Sequence, residues 1–582
     1  MNTHTFEIRD DFYMDGEKIK IISGGMHYFR IPWQYWRDRL EKLKALGCNT
    51  VETYVAWNVH EPKEGQFCFE GMYDIKKFIE LAGELGLWVI VRPSPFICAE
   101  WEFGGLPAWL LSKESIRLRT NTEPFLSLVE RYYQELFQIL TPLQLPYGGP
   151  IIMMQIENEY GYYGNDVNYM ITLKSSMEKN GAIVPFVTSD GPTKQTLMDG
   201  GIPGVLPTGN FGSRTRERFQ IMKECIGDKP LMCMEFWIGW FDAWECGKHN
   251  TSDLEENKKD LTDMLELGHV NFYMFHGGTN FGFMNGANFY DRLEPDVTSY
   301  DYDAILTENG ELTKKYYEFQ KIIGTYTTLP KVNFTTDIKK CAYGTLAINR
   351  KVSLFSVLDD ISKEVVSPCT LTMEQLGQNY GYILYRTKLH RGTHIKKCRI
   401  LGAGDRAILF AEEQQVGIRY NLELEQEYDF EVPKEEVTLD ILMENMGRVN
   451  FGLRLEEQAK GIKKGVAFDG MLHCNWSHYT LPLDNVDQID FNKSYKVGTP
   501  SFYEFELDIK EACDTFLALN GWGKGCVFVN GENIGRFWER GPQKRLYIPA
   551  PFLKVGRNQI IVFETDGKIG ENISLEAEPD LG

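Results

Sequence analysis

Residues 150–161 read PIIMMQIENEYG, an apolar run of strand type that ends in Gln155, Glu157, Asn158 and Glu159. A short apolar run of this kind is a buried strand, and a buried strand that stops in carboxylates hands them to a pocket. A second run of the same design, PLMCMEFWIGW at 230–240, delivers Glu235 among Phe236, Trp237 and Trp240. Two carboxylates arriving on separate strands suit the cleavage of a glycosidic bond.

Working outward, strand and amphipathic helix patterns alternate from Ile19 to about residue 330, the mark of parallel βα units. The pattern predicts strands at Ile19–Phe29, Thr50–Trp57, Leu87–Pro93, Pro150–Glu159, Val184–Asp190, Gly204–Phe211, Pro230–Trp237 and His269–Phe275. Helices are predicted between them, as at Trp33–Leu46, Asp74–Leu85 and Ser252–Leu267. Eight such units predict an α/β (β/α)8 TIM barrel over 1–333, whose catalytic groups gather at the C-terminal ends of the strands. His27, Tyr54, Glu100, Glu159, Asp190, Asn210, Glu235 and Tyr273 all fall at or just past such ends.

Beyond residue 335 the texture changes to short β-branched and aromatic runs broken by Gly, Pro and Asn, as in all-β sandwiches. A division near Gly498-Thr499-Pro500 gives two all-β domains, 334–497 and 498–582. Asn530-Gly531 marks a hairpin turn in the second.

The chain has 582 residues and a net charge of −20, which argues against nucleic acid and anionic membrane as partners and favours a neutral oligosaccharide. Aromatic residues make up 13%, and their apolar faces can stack on sugar rings. No apolar stretch is long enough to span a bilayer, and the first residues lack a secretory pattern, so a cytoplasmic protein is expected. Its 12 cysteines show no CxxC pair and no HExxH occurs, so free thiols, no metal and no cofactor are expected.

Glu159 and Glu235 form the natural catalytic pair, on strands expected to face each other across the barrel mouth. Glu157 is an equal rival to Glu159, because it shares strand parity with it. Glu100 is either catalytic or an acceptor of sugar hydroxyl bonds, whereas Glu61, followed by Pro62, reads as part of a turn. His27, His60 and His276 read as hydrogen-bonded or packed residues.

Seven blocks carry a family resemblance: GGMHYFRIP, NTVETYVAWNVHEP, FICAEWEFGGLPAWLL, QIENEYG, EFWIGWFD, FYMFHGGTNFG and TSYDYDA. Over essentially its whole length the chain resembles the β-galactosidases of glycoside hydrolase family 35. The resemblance implies a barrel followed by β-domains and hydrolysis of terminal β-galactosides with retention. It also implies Glu159 as acid/base and Glu235 as nucleophile, with galactose contacts from Tyr54, Cys98, Ala99, Glu100, Asn158, Tyr273, Tyr300 and Tyr302. Trp237 stands where some relatives have Tyr, and EFWIGW resembles bacterial members acting on β-1,3-linked galactose. Trp237 and Trp240 are therefore expected to form a flat aromatic wall for the leaving sugar. The C-terminal segment resembles the galactose-binding-like jelly roll of these enzymes, with a scaffold or homodimer-contact role expected. Two rival functions are a relative with altered sugar choice, such as a β-glucosaminidase, and a galactose-binding protein on a lapsed barrel.

Overall fold

Eight parallel strands close a barrel in simple chain order. They are β1 Ile22–Met26, β2 Thr50–Tyr54, β3 Trp88–Arg92, β4 Ile151–Gln155, β5 Phe186–Asp190, β6 Leu206–Phe211, β7 Met232–Trp237 and β8 His269–His276. The computed structural model describes residues 4–390, 395–430, 436–452 and 454–582. A helix follows each strand, from Trp36–Leu46 after β1 to Lys314–Ile323 after β8. Asp74, Asp166, Asp253 and Thr313 cap four of these helices by accepting from backbone N–H groups of the first turn, donors that have no partner inside the helix. Among the described residues no helix is long and apolar enough to cross a membrane.

Seven of the strands are shorter than the sequence pattern predicts, while β8 runs one residue further, to His276, and the difference matters at the mouth. β1 stops at Met26, and Tyr28–Arg30 form a 3-10 turn. β2 stops at Tyr54, so Trp57 lies in a short helix, Trp57–His60. β4 stops at Gln155, so Glu157, Asn158 and Glu159 belong to the loop that follows. At the other end Ile90, Ile152, Met153, Val187, Met232 and Met234 pack together with Phe6 and Phe12 of an N-terminal hairpin. That apolar plug leaves the C-terminal face as the open one.

Beyond the barrel four sheets stack. A four-stranded and a six-stranded sheet from 364–481 enclose Ile383, Tyr385, Ile400, Ile441, Val466 and Trp476. The opposite face of the six-stranded sheet, with Tyr382, Leu384 and Leu442, packs on Phe502, Phe528 and Phe563 of a five-stranded sheet. The period of two along a strand explains how one sheet feeds two cores: even-numbered 382 and 384 face one way, 383 and 385 the other. The outermost four-stranded sheet closes the last core around Tyr503, Phe505, Val527 and Leu575. Strands Gly344–Ala347 and Arg350–Ser353 pair with Asn572–Glu576 and Ser501–Ile509. Residues 344–353 thus join the last sheets, although the division at 498 assigns them to the first β-domain. Strand pairing between distant segments leaves no mark in local composition. Asn530 and Gly531 both have positive φ and turn one strand of the five-stranded sheet into the next, as predicted.

The barrel and the β-domains are joined by buried charge. Arg448, with a fully buried side chain, donates to Glu102 of the barrel at 2.5 Å and to Glu374. Nearby, Lys524 meets Glu444, and Lys460 meets Asp405 at 2.7 Å. Val449–Phe451 then runs parallel to Ala287–Phe289 of the β8 loop, making one small sheet from two domains. Replacing Arg448 by Ala strands two buried carboxylates, and removal of one partner from such a group costs roughly 3–5 kcal/mol. Arg448→Ala is expected to lower the thermal unfolding midpoint by several degrees. A midpoint unchanged within error in calorimetry would show that the two domains are held elsewhere.

Candidate active site

Strict alternation along β7 would point Glu235 away from the barrel axis. Met232 and Met234 sit in the inner plug and Cys233 in the outer core, so Glu235 would follow Cys233 outward. The pairing of β7 with β6 shifts between Cys233 and Glu235, and with β8 between Cys233 and Phe236. This bulge resets the parity. Phe236 takes the outward position and Glu235 turns into the cavity mouth.

Three donors meet Glu235. Arg92 Nη2 and Tyr54 Oη each donate to its Oε1 at 2.7 Å, and the Trp237 indole donates to Oε2 at 3.0 Å. Guanidinium and indole N–H groups can only donate, so they present Glu235 as a carboxylate acceptor. Arg92 also donates to Asn158 Oδ1 at 2.6 Å and lies 3.6 Å from Glu52. Burial pushes Glu52 up to about 7.

The loop after β4 separates the two glutamates that strand parity made equivalent. Glu157 and Glu159 both adopt left-handed backbone, φ 57° and 48°, so alternation has ended before either residue. Glu157 turns away from the cavity to a two-pronged pair with Arg119, at 2.9 and 2.8 Å, and accepts from Tyr169 at 3.0 Å. Glu159 faces Glu235 across the cavity and accepts a single bond, from Asn210 at 3.1 Å. Burial, and after it the charge of Glu235, hold the Glu159 carboxyl well above its ordinary range.

Cys98, Ala99 and Glu100 form three consecutive left-handed residues, φ 58°, 57° and 48°, a conformation costly without glycine. It is held by Arg30, which donates to the Ala99 carbonyl at 2.5 Å, and by Gly286 N–H, which donates to the Glu100 carbonyl at 3.0 Å. The turn aims Glu100 into the cavity, where it accepts from Tyr300. Burial raises Glu100 to about 7, against the opposing pull of Tyr300 and Arg30. Tyr273 reaches Tyr300 at 3.0 Å and packs edge-on against Tyr302.

These groups line one cavity of about 260 Å³. Of the residues predicted from sequence, Cys98, Ala99, Glu100, Asn158, Glu159, Glu235, Trp237, Trp240, Tyr273 and Tyr302 form its wall. Tyr54 and Tyr300 stand one layer behind, holding Glu235 and Glu100. The two tryptophans do not form a flat wall: their rings meet at 80°, and Trp240 stacks on Phe241 instead, at 28° and 5.0 Å. The result is an aromatic corner. Glu61, buried, accepts from the Trp57 indole and Gly65 N–H, in keeping with its reading as part of a turn.

The sequence matches the profile described as "Glycosyl hydrolases family 35" over residues 11–326, more than half of its 582 residues. The chain belongs to glycoside hydrolase family 35. It also matches "Beta-galactosidase, first all-beta domain" over 370–482 and "Beta-galactosidase, galactose-binding domain" over 500–558. It is 40% identical to "Beta-galactosidase-1-like protein 2" of Homo sapiens, covering 98% of this chain and 91% of the relative. It is 37% identical to "Beta-galactosidase" of Bos taurus, covering 97% and 91%, and 38% identical to that of Xanthomonas manihotis, covering 92% and 90%.

Several members of this family 35 site escaped sequence reasoning. Arg92 sits inside an apolar strand, and nothing local marks it as the partner of Glu235. Asn288, Tyr290 and Phe451 line the cavity from the inter-domain sheet and its flank, which forms only when residues 160 positions apart pair. Asn210 reads from sequence as a strand end, but its bond to Glu159 depends on the approach of the loop after β4 to β6, which local pattern does not reveal.

The electrostatic coupling is testable. Glu235→Gln removes a negative charge from the cavity, so the Glu159 pKa should fall, yet stay above an ordinary carboxyl because burial is the larger cause. Infrared titration of the carboxylic acid band, with Glu159→Gln as the blank, measures it. An unchanged titration would mean that the two groups do not sense each other.

Proposed function

We propose that this glycoside hydrolase is an exo-acting β-galactosidase that releases terminal non-reducing β-D-galactosyl residues with retention of configuration. The observation that carries the reading is the pair of carboxyls lining one cavity: Glu235 held by donors, and Glu159 with a raised proton affinity and, among the described residues, a single side-chain hydrogen bond.

In this mechanism Glu235 attacks the anomeric carbon while Glu159 gives its proton to the departing oxygen. Formation of the ester removes the charge of Glu235, and with it the second-largest of the causes that held the proton on Glu159. Glu159 then accepts a proton from water, which attacks the anomeric carbon from the face the leaving group vacated and displaces the Glu235 carboxylate. Arg92 and Tyr54 stabilise the carboxylate of Glu235 as it is released. Glu100, Asn158, Tyr273 and Tyr302 are positioned to bond the hydroxyls of the galactosyl ring.

Glu235→Gln is expected to abolish turnover. Glu159→Gln should lose several orders of magnitude on disaccharides and far less on activated nitrophenyl galactoside, which needs no general acid. Azide should rescue Glu159→Ala and yield the β-azide, the product of retention. The same pattern in Glu157→Gln, or an α-azide, would refute the assignment.

We further propose a preference for β-1,3-linked galactose, supported by the corner of Trp237 and Trp240, since two perpendicular faces hold one ring orientation better than one face does. Trp240 is 43% exposed at the mouth, free to meet a leaving sugar. Trp240→Ala should depress kcat/KM for β-1,3 disaccharides about tenfold more than for nitrophenyl galactoside. Equal losses on both, or a wild type that prefers β-1,4 linkages, would defeat this preference.

A further inference from the structure

A second cavity, of about 390 Å³, adjoins the first and shares Tyr162, Trp237 and Trp240 with it. Its position gives it a side. Asn210, the residue bonded to Glu159, also lines it, so it opens next to the proposed proton donor and therefore where the leaving sugar departs.

One cation faces this space. Arg218, in the first turn of the helix Thr215–Ile226 after β6, lines the cavity, and its Nε is buried with no hydrogen-bond partner. Its neighbours are satisfied: Arg214 pairs with Glu217 at 3.6 Å, and Arg216 with Asp263 and Glu266. Among the described residues Arg218 has no carboxylate partner, in a chain whose net charge is −20 and whose arginines are mostly paired. The half-buried guanidinium can therefore donate from its exposed nitrogens to a ligand in the cavity, and a charge-assisted bond is stronger than one between neutral groups.

We infer that this cavity is a subsite for a leaving sugar that carries a carboxylate, with Arg218 as its anchor. The inference rests on the galactosidase reading and adds a substrate class to it: β-galactosides of uronic acids. The two Nη groups of a guanidinium form a planar fork that matches both oxygens of a carboxylate, and among the described residues those of Arg218 have no hydrogen-bond or ion-pair partner. The hydroxyl of a neutral sugar can take only one of the two bonds. The indoles shared by the two cavities would hold the body of the same sugar while its carboxylate reaches Arg218.

The test compares galactosyl-β-1,3-glucuronic acid with galactosyl-β-1,3-glucose, which differ only in the carboxylate. Wild-type kcat/KM should favour the acid by about tenfold or more, and added salt should reduce the preference, because the group is partly exposed. Arg218→Gln should bring the ratio close to one, and Arg218→Lys, which keeps the charge but loses the fork, should leave an intermediate ratio. No wild-type preference for the acid, or a ratio that survives in Arg218→Gln, overturns the subsite while leaving the galactosidase reading intact. Failure of the wild type to hydrolyse nitrophenyl galactoside would sink that reading and the subsite with it.

Discussion

A single buried guanidinium sets the terms for the site. Arg92 has no exposed side-chain surface and lies between Glu52, equally buried, and Glu235. Removing three charged groups from water is tolerable only if they compensate one another. Arg92 and Glu235 form the neutral pair, and Glu52, raised to about 7 by burial, can hold a proton or release it close to neutrality. In the proposed mechanism Glu235 loses its charge when it forms an ester, and Arg92 then keeps Glu52 as its counter-charge. Glu52 remains 3.6 Å from Arg92, a second carboxyl beside the cation.

The same logic of over-determination governs the walls. The left-handed run at 98–100 persists because Arg30 holds the Ala99 carbonyl and Gly286 the Glu100 carbonyl. Arg30 in turn stacks over Tyr300 at 3.8 Å and bonds Asn280, so the strained turn, the Glu100 anchor and the β8 loop behave as one rigid unit. Rigidity of this kind serves catalysis, since groups that do not move need no reorganisation when charge develops.

The barrel was legible in the sequence because each βα unit repeats the same pair of periods, and two of its strands announce themselves by ending in glutamate. What local pattern could not supply was direction. Alternation read along PLMCMEFW places Glu235 on the wrong face, and only the bulge between Cys233 and Glu235 corrects it. Alternation read along QIENE makes Glu157 and Glu159 equivalent, and only the end of β4 at Gln155 separates them. Both failures have one cause: period two holds only while a strand stays regular, and functional strand ends are where it stops. The mixed membership of residues 344–353 was hidden for a different reason, since their partners lie some 150 to 230 positions away.

The small sheet shared by Ala287–Phe289 and Val449–Phe451 bears on how the molecule is made. A ribosome delivers the chain from its N-terminus, and domains tend to fold as they emerge. All eight barrel strands are out of the tunnel well before Phe451, which supplies part of the cavity wall, has been synthesised. Residues 344–353 wait longer still, for partners at 501–509 and 572–576. The nascent barrel therefore carries both glutamates but an incomplete pocket, which is completed only after Phe451 has emerged. An isolated barrel would keep Glu159 and Glu235 yet lose one side of the cavity, so the β-domains are part of the site's wall and not merely appended to it.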